Sequence, residues 1–458
     1  MLRFVLRSVT YLLVIVLCVG AVGGFGLLFS QKDFWANYRQ EPLPSLQGLE
    51  KPQHDPQKPT VAILLGNEST EGLDFTIPYQ LFSMTGAYNV YAVAADNQVK
   101  TLTGGLEIVP HYSFAELDEL LGKSADIITI PYMTMFDSAS YVPVKNWILQ
   151  HQDTTLLSIC AGAENLAVTG LLDGKTSATH WQTMPVLTKN YPQVNWVQNQ
   201  RYVTNNNGKI VTSAGISSGI DAVLYVISKK LGEPVAENIA KELHYPSYQF
   251  VKNPTVEPFA MDIRYSTYML NNAFQWNKNQ VGILLYNGVE EMAVASVFDI
   301  YSDTGTAKVL SVTQTDQPIV TKYGLHLIAR HNMSSPPAVD KMIVPGTQAN
   351  TLAVEEAKIW QEKGNGQPLR YVHNDPNRFI FELMLEDLAK QEDLLTAQHA
   401  VKRLEFRAND FHLEGNPIPF ETYGVFLITL AGAILIAVFV DKWIFRRKIA
   451  KHGVQHST

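Results

Sequence analysis

"TTLLSICAGAENLAVTG", residues 154–170, is the stretch whose reading decides the fold. Thr155 to Ile159 is β-rich and apolar and predicts a strand. Ala161 to Thr169 carries small and apolar residues at helical spacing and stops at Gly170. A strand that turns straight into a helix at a cysteine is an elbow, and small neighbours are needed there because the turn is sterically tight. Two readings of Cys160 follow from the spacing. The free N–H groups at a helix N-terminus would favour a reactive thiolate. Alternatively, a cysteine on a core strand is a buried small hydrophobe.

The surroundings extend the pattern. Short β-rich runs recur at "TVAILL", "YNVYAVAA", "ADIITIP" and "KIVTSAG", separated by helix-period segments such as "VPVKNWILQHQ" and "GIDAVLYVISKKLG". Strands alternating with helices predict a parallel sheet covered on both faces. "NNNG" marks a turn between two strands, and the breaker-rich "HYPSYQFVKNPTVEP" closes the unit near residue 250.

The chain then starts again. "VAILLGNESTEGLDFTIPYQLFSMTG" from Val61 aligns with "VGILLYNGVEEMAVASVFDIYSDTG" from Val281, with one residue gapped. "IITIPYM" aligns with "KMIVPGT", and Trp147 and Trp360 have the same offset as Cys160 and His373. The expectation is a domain-scale tandem repeat. In the second copy Ala293 stands for Asp74, Val297 for Pro78 and His373 for Cys160, so that copy is expected to keep the architecture and lack the chemistry.

Both ends are apolar. Residues 9–29 and 423–440 contain no charge, and each run is long enough for a bilayer. The first is expected to be an uncleaved anchor, with a cleaved signal peptide as the rival reading. Arg3 and Arg7 before it, and Arg446, Arg447 and Lys448 after the second run, place both termini in the cytoplasm and the body outside it. The expected organisation is an anchor at 1–30, a linker at 31–58, a first domain at 59–252 and a linker at 253–278. A degenerate second domain at 279–412, a linker at 413–422, a transmembrane helix at 423–445 and a basic tail at 446–458 complete it.

The net charge of −7 and the lack of a basic recognition helix argue against nucleic acid as a partner. Only two cysteines occur, Cys18 and Cys160, so no disulfide framework is expected. No metal-ligand spacing or phosphate-cradling glycine loop is visible, and no cofactor is expected.

"CAGAENLAVTGLLDGKTSATHW" followed by "IVTSAGISSGIDAVLYVI" resembles the ThiJ/PfpI superfamily, the class I glutamine amidotransferase-like group. The likeness is to the branch found in AraC-type regulators, and it covers about residues 59 to 250. It implies a flavodoxin-like parallel-sheet sandwich with Cys160 at the elbow. It also implies that Asp74, in "GLDFTIP", hydrogen-bonds the cysteine and acts as acid or base, and that His180 serves either catalysis or structure. Ala161, Gly162, Glu164 and Tyr132 would border the pocket, and Asp221 would start a helix. Two features depart from the pattern. "PYMTM" replaces the glycine-rich oxyanion loop, leaving the Tyr132 hydroxyl as a candidate donor, and no helix-turn-helix module follows. Two functions remain open. One is a cysteine-dependent hydrolase or hydratase acting on a small electrophilic substrate. The other is a module that senses a small molecule or oxidant and signals to a membrane partner. The two repeats are expected to pack as a pseudo-dimer.

Overall fold

The protein was analysed as a computed structural model that describes residues 2–36, 46, 49–363, 367–408 and 411–452. Residues 37–45 and 47–48 of the expected first linker and 453–458 of the expected tail lie outside the described residues.

The fold is the expected flavodoxin-like α/β arrangement with parallel sheets. In the first lobe seven strands lie in the order 202–205, 210–213, 155–158, 127–130, 60–65, 89–94 and 112–113. All neighbours are parallel except Tyr202–Asn205 and Ile210–Ser213, the pair joined through "NNNG". The central strand Thr60–Leu65 is buried at every position, as a parallel strand covered on both faces must be.

The second lobe has five parallel strands in the order 331–332, 307–313, 279–284, 341–344 and 369–371. Its registers follow those of the first lobe. Val61 pairs with Val90 and Ile127; Val281 pairs with Val309 and Lys341. Ile128 pairs with Leu156 and Met342 with Leu369, so Cys160 and His373 each lie four residues beyond equivalent strand positions.

The lobes bury a common interface. Helix Gly72–Met84 packs on helix Glu291–Ser302, and the Met292 N–H donates to Gln80 Oε1 at 2.9 Å. A small four-stranded sheet runs across the junction, with His326 paired to Val109.

Helices Leu2–Ala36 and Phe420–His452 pack together and are both long and apolar enough to cross a membrane. They run antiparallel, because Arg7 near the start of one pairs with Asp441 near the end of the other at 2.6 Å. The expected linker at 253–278 is not extended chain. It contains helix Ile263–Phe274, which docks on both membrane-type helices. Gly26 allows this approach, since a Cβ there would lie 1.9 Å from the Ala273 carbonyl oxygen. The terminal helices also exceed their expected bounds, the first running to Ala36 and the second starting at Phe420. Polar side chains satisfied by the neighbouring helix explain the extension: the Thr422 hydroxyl donates to Asn271 Oδ1 at 2.8 Å.

Candidate active site

Strand Thr155–Ser158 ends two residues before Cys160, and helix Gly162–Ala167 begins two residues after it. Cys160 has φ +57°, in the left-handed region that a residue with a Cβ rarely occupies. The Cys160 N–H donates to Ser213 Oγ at 3.2 Å, which fixes the strained turn from the neighbouring strand. Gly162 is required by packing, because a Cβ there would lie 2.2 Å from the Ile130 carbonyl oxygen. Ala161 is buried beside it and caps the short helix.

Asp74 comes from the first turn of helix Gly72–Met84 and is fully buried. Its Oδ2 accepts the Tyr132 N–H at 3.2 Å, while Oδ1 is buried without a partner among the described residues. The contribution of Tyr132 to Asp74 is thus its backbone amide. The cap of the same helix is Glu71, whose Oε2 accepts the Asp74 N–H at 2.5 Å. Burial pushes both carboxyl groups well above the usual carboxylate range.

The thiol shifts in the direction of the buried reading and away from the reactive thiolate. Burial raises it well above its ordinary value, and the neighbouring Asp74 and Glu71 raise it further. The Ala161 amide offsets only part of this. The elbow helix has six residues, too short for its N-terminus to overcome a buried, acidic setting.

A segment of the second lobe roofs the site. Helix Leu394–Arg403 ends at a left-handed residue, Glu405 (φ +51°), and the turn from Lys402 to Glu405 lies across the first lobe. The Leu404 carbonyl accepts the Ser217 N–H at 2.9 Å, and the Glu405 carbonyl accepts from Arg201 at 3.0 Å and from the Ser217 hydroxyl at 2.8 Å. Gly215 leaves room for the Glu405 side chain, since a Cβ there would lie 2.5 Å from its Cγ. Trp181 Nε1 donates to the Lys402 carbonyl at 3.2 Å, and the Lys402 ammonium lies 4.4 Å from the centre of the Trp181 ring.

His180 faces this roof. Its Nε2 is 2.9 Å from the Arg403 carbonyl oxygen, and burial lowers it to about 4, so it is neutral at physiological pH. Asp221 is not a helix-start residue. It sits in the second turn of helix Ile216–Leu231, in a fully buried ion pair with Arg201 at 2.5 Å, and so helps hold the guanidinium that anchors Glu405.

The structure thus joins Asp74 to the Tyr132 amide and sets Asp74 within electrostatic reach of Cys160, without the expected hydrogen bond between them among the described residues, and it turns the His180 ring to the roof. Glu164 is half-buried and faces elsewhere. With Tyr132, Phe136, Tyr141, Lys145 and Tyr191 it lines a cavity of about 610 Å³ beside the elbow helix. Glu71, Asp299 and Arg403 escaped the sequence reading. Only Glu71 left a trace there, as an acidic residue in the same step as Asp74 that recurs as Glu290. Among the described residues no His, Cys, Asp and Glu cluster is suited to a metal.

Comparison with known proteins bears on this site. The DJ-1/PfpI family model matches residues 59–229, the span that contains Asp74, Tyr132, Cys160 and His180. The first lobe carries a DJ-1/PfpI family domain. Isonitrile hydratase from Pseudomonas putida is 27% identical over 178 residues, 38% of this chain and 73% of that protein. The HTH-type transcriptional regulator CdhR from Pseudomonas aeruginosa is 31% identical over 117 residues, 24% of this chain and 34% of that protein. Among solved structures, Drosophila melanogaster DJ-1beta aligns at 18% identity over 41% of this chain and 98% of its own, with a TM-score of 0.36. An AraC family transcriptional regulator from Pseudomonas putida aligns at 18% identity over 40% of this chain and 97% of its own, with a TM-score of 0.34.

Proposed function

We propose that the chain is a membrane-anchored, cysteine-dependent hydratase or hydrolase acting on a small electrophilic carbon, with an isonitrile as the substrate of first choice. The observation that carries this reading is Cys160 in a strained elbow with Asp74 beside it, one carboxyl oxygen of which is buried and unpartnered. The likeness of the DJ-1/PfpI domain to isonitrile hydratase supports the substrate class.

Hydration would proceed in two steps. The sulfur adds to the terminal carbon of R–N≡C, an S–C bond forms, and the thiol proton passes through Asp74 to that carbon, giving R–N=CH–S–Cys160. Water then adds to the same carbon, the C–S bond breaks, the sulfur regains a proton and R–NH–CHO departs. The raised Asp74 carboxyl is suited to holding a proton at neutral pH.

On this reading the second lobe is a degenerate copy in which His373 fills the elbow. Its Nδ1 accepts the Gly346 N–H at 3.0 Å, occupying the amide equivalent to that of Tyr132. The termini lie in the cytoplasm and the lobes outside it. Support comes from the basic residues flanking the two helices and from their antiparallel packing.

A second reading, a sensing module that reports to a membrane partner, draws on the roof over Cys160. A thiol that is buried, raised and covered by a turn leading to the C-terminal membrane helix is suited to signalling a change of state.

The test is turnover of a small alkyl isonitrile by the full-length protein in detergent, with the N-substituted formamide read by mass spectrometry. Formamide from the wild type and none from C160A is the expected result. A C160A rate equal to the wild type, or no formamide from a protein whose thiol alkylates, would sink the enzymatic reading.

A further inference from the structure

The second lobe supplies one cation to the first lobe's site. The Arg403 guanidinium lies 3.4 Å from Glu71, the cap of the helix that carries Asp74. It also pairs with Asp299 at 2.6 Å and with Asp303. Glu71 and Asp299 come from opposite lobes, and their carboxyl groups lie within hydrogen-bonding reach of one another. Two such groups repel when both are ionised, and a guanidinium between them relieves this in a geometry that an ammonium does not reproduce. The backbone of the same arginine holds His180, so main chain and side chain both act on the first lobe.

We infer that Arg403 is a positioning residue of the Cys160 elbow: by clamping Glu71 and Asp299 across the lobe interface it fixes the acidic cap beside Asp74 and sets the charge that the thiol meets. This rests on the reading of Cys160 as a working nucleophile, and it gives a lobe without a thiol a part in the chemistry of the other. The charged groups around the pair come from several elements. Asp74, Glu71 and Glu405 are the carboxyl groups whose charge acts on the thiol. Glu71, Asp299 and Asp303 face Arg403, with His180 and His399 packed nearby.

The experiment is the pH dependence of Cys160 alkylation by iodoacetamide in the full-length protein in detergent, for wild type, R403Q, R403K and E71Q. Losing the positive charge of Arg403 disfavours the thiolate and losing the negative charge of Glu71 favours it, so the two effects have opposite signs. R403Q is expected to raise the midpoint by about one pH unit, with R403K restoring part of it, and E71Q is expected to lower it. A rate changed by one factor at all pH values with the midpoint fixed would mean that Arg403 only holds the roof in place, and would overturn the inference. So would a wild-type thiol that reacts only on unfolding. If R403Q does not fold, E71Q and R403K decide by the same criteria. Isonitrile turnover is not read here, so an absence of hydration sinks the proposed substrate without touching this result.

Discussion

His180 Nε2 lies 2.9 Å from the Arg403 carbonyl oxygen, which only accepts, so the neutral imidazole carries its proton on Nε2. This bond crosses between lobes that are far apart in the sequence. It belongs to a set that includes Trp181 with Lys402 and Ser217 with Leu404, through which the end of helix Leu394–Arg403 covers the elbow. The first lobe shows the same local device: His244, after helix Glu233–Glu242, is also left-handed, with φ +52°. A helix of each lobe therefore ends on the same left-handed turn.

The elbow glycine gives a direct stability test. A methyl group on Gly162 would meet the backbone of Ile130 and Pro131, which belong to the sheet and cannot swing aside. Gly174 has φ +73° and open space around it, so alanine there meets only backbone strain. G162A should lower the unfolding free energy by about 3 kcal/mol or prevent folding, whereas G174A should cost about 1 kcal/mol. Equal denaturation midpoints for the two variants would show that the Gly162 contact relaxes freely.

Much of this arrangement was legible from the residues. The strand–cysteine–helix step, the restart at Val281 and the two apolar ends all depend on local periodicity, and the parallel sheets and terminal helices follow from it. Cys160 and Asp74 could be named as candidates because their motifs are local. Arg403 lay in "VKRLEF", an ordinary helix end, and only the packing of one lobe on the other brings it to Glu71. The sequence leaves Cys160 open between its two readings for a similar reason. A helix start is visible in sequence, but burial by a distant turn and a second carboxylate on a cap are not.

His373 makes stability depend on pH. Burial lowers it to about 4 from an ordinary value near 6.5. The unfolded chain therefore binds its proton first as pH falls. The contribution of His373 is complete above pH 6.5, declines between about 6.5 and 4, and changes no further below that. One such group adds a slope of up to about 1.4 kcal/mol per pH unit in that window. H373N, which keeps an acceptor for the Gly346 N–H, should flatten the curve of unfolding free energy against pH there. An unchanged slope would mean that His373 takes up its proton equally in both states.

The terminal helices are joined by Arg7 and Asp441, with Asp441 nearly inaccessible. Removing Arg7 takes the partner from the nearly inaccessible Asp441 carboxylate, whereas removing both does not leave that charge behind. R7L should lower the melting temperature in detergent more than the R7L/D441L double variant does. Additive effects in a double-mutant cycle would show the two side chains to be independent.

Asp74 is the last test, because its two expected roles move different observables. As a neighbouring acid it raises the thiol once it is ionised, so D74N should shift the midpoint of Cys160 alkylation to lower pH. As the group that carries the proton, it should be needed for turnover, and D74N should reduce formamide production about 100-fold or more. A lower thiol midpoint in a slower enzyme separates proton transfer from thiol activation. If D74N hydrates isonitriles as fast as the wild type, Asp74 is only a charge beside Cys160, and the proton must reach the substrate carbon by another route.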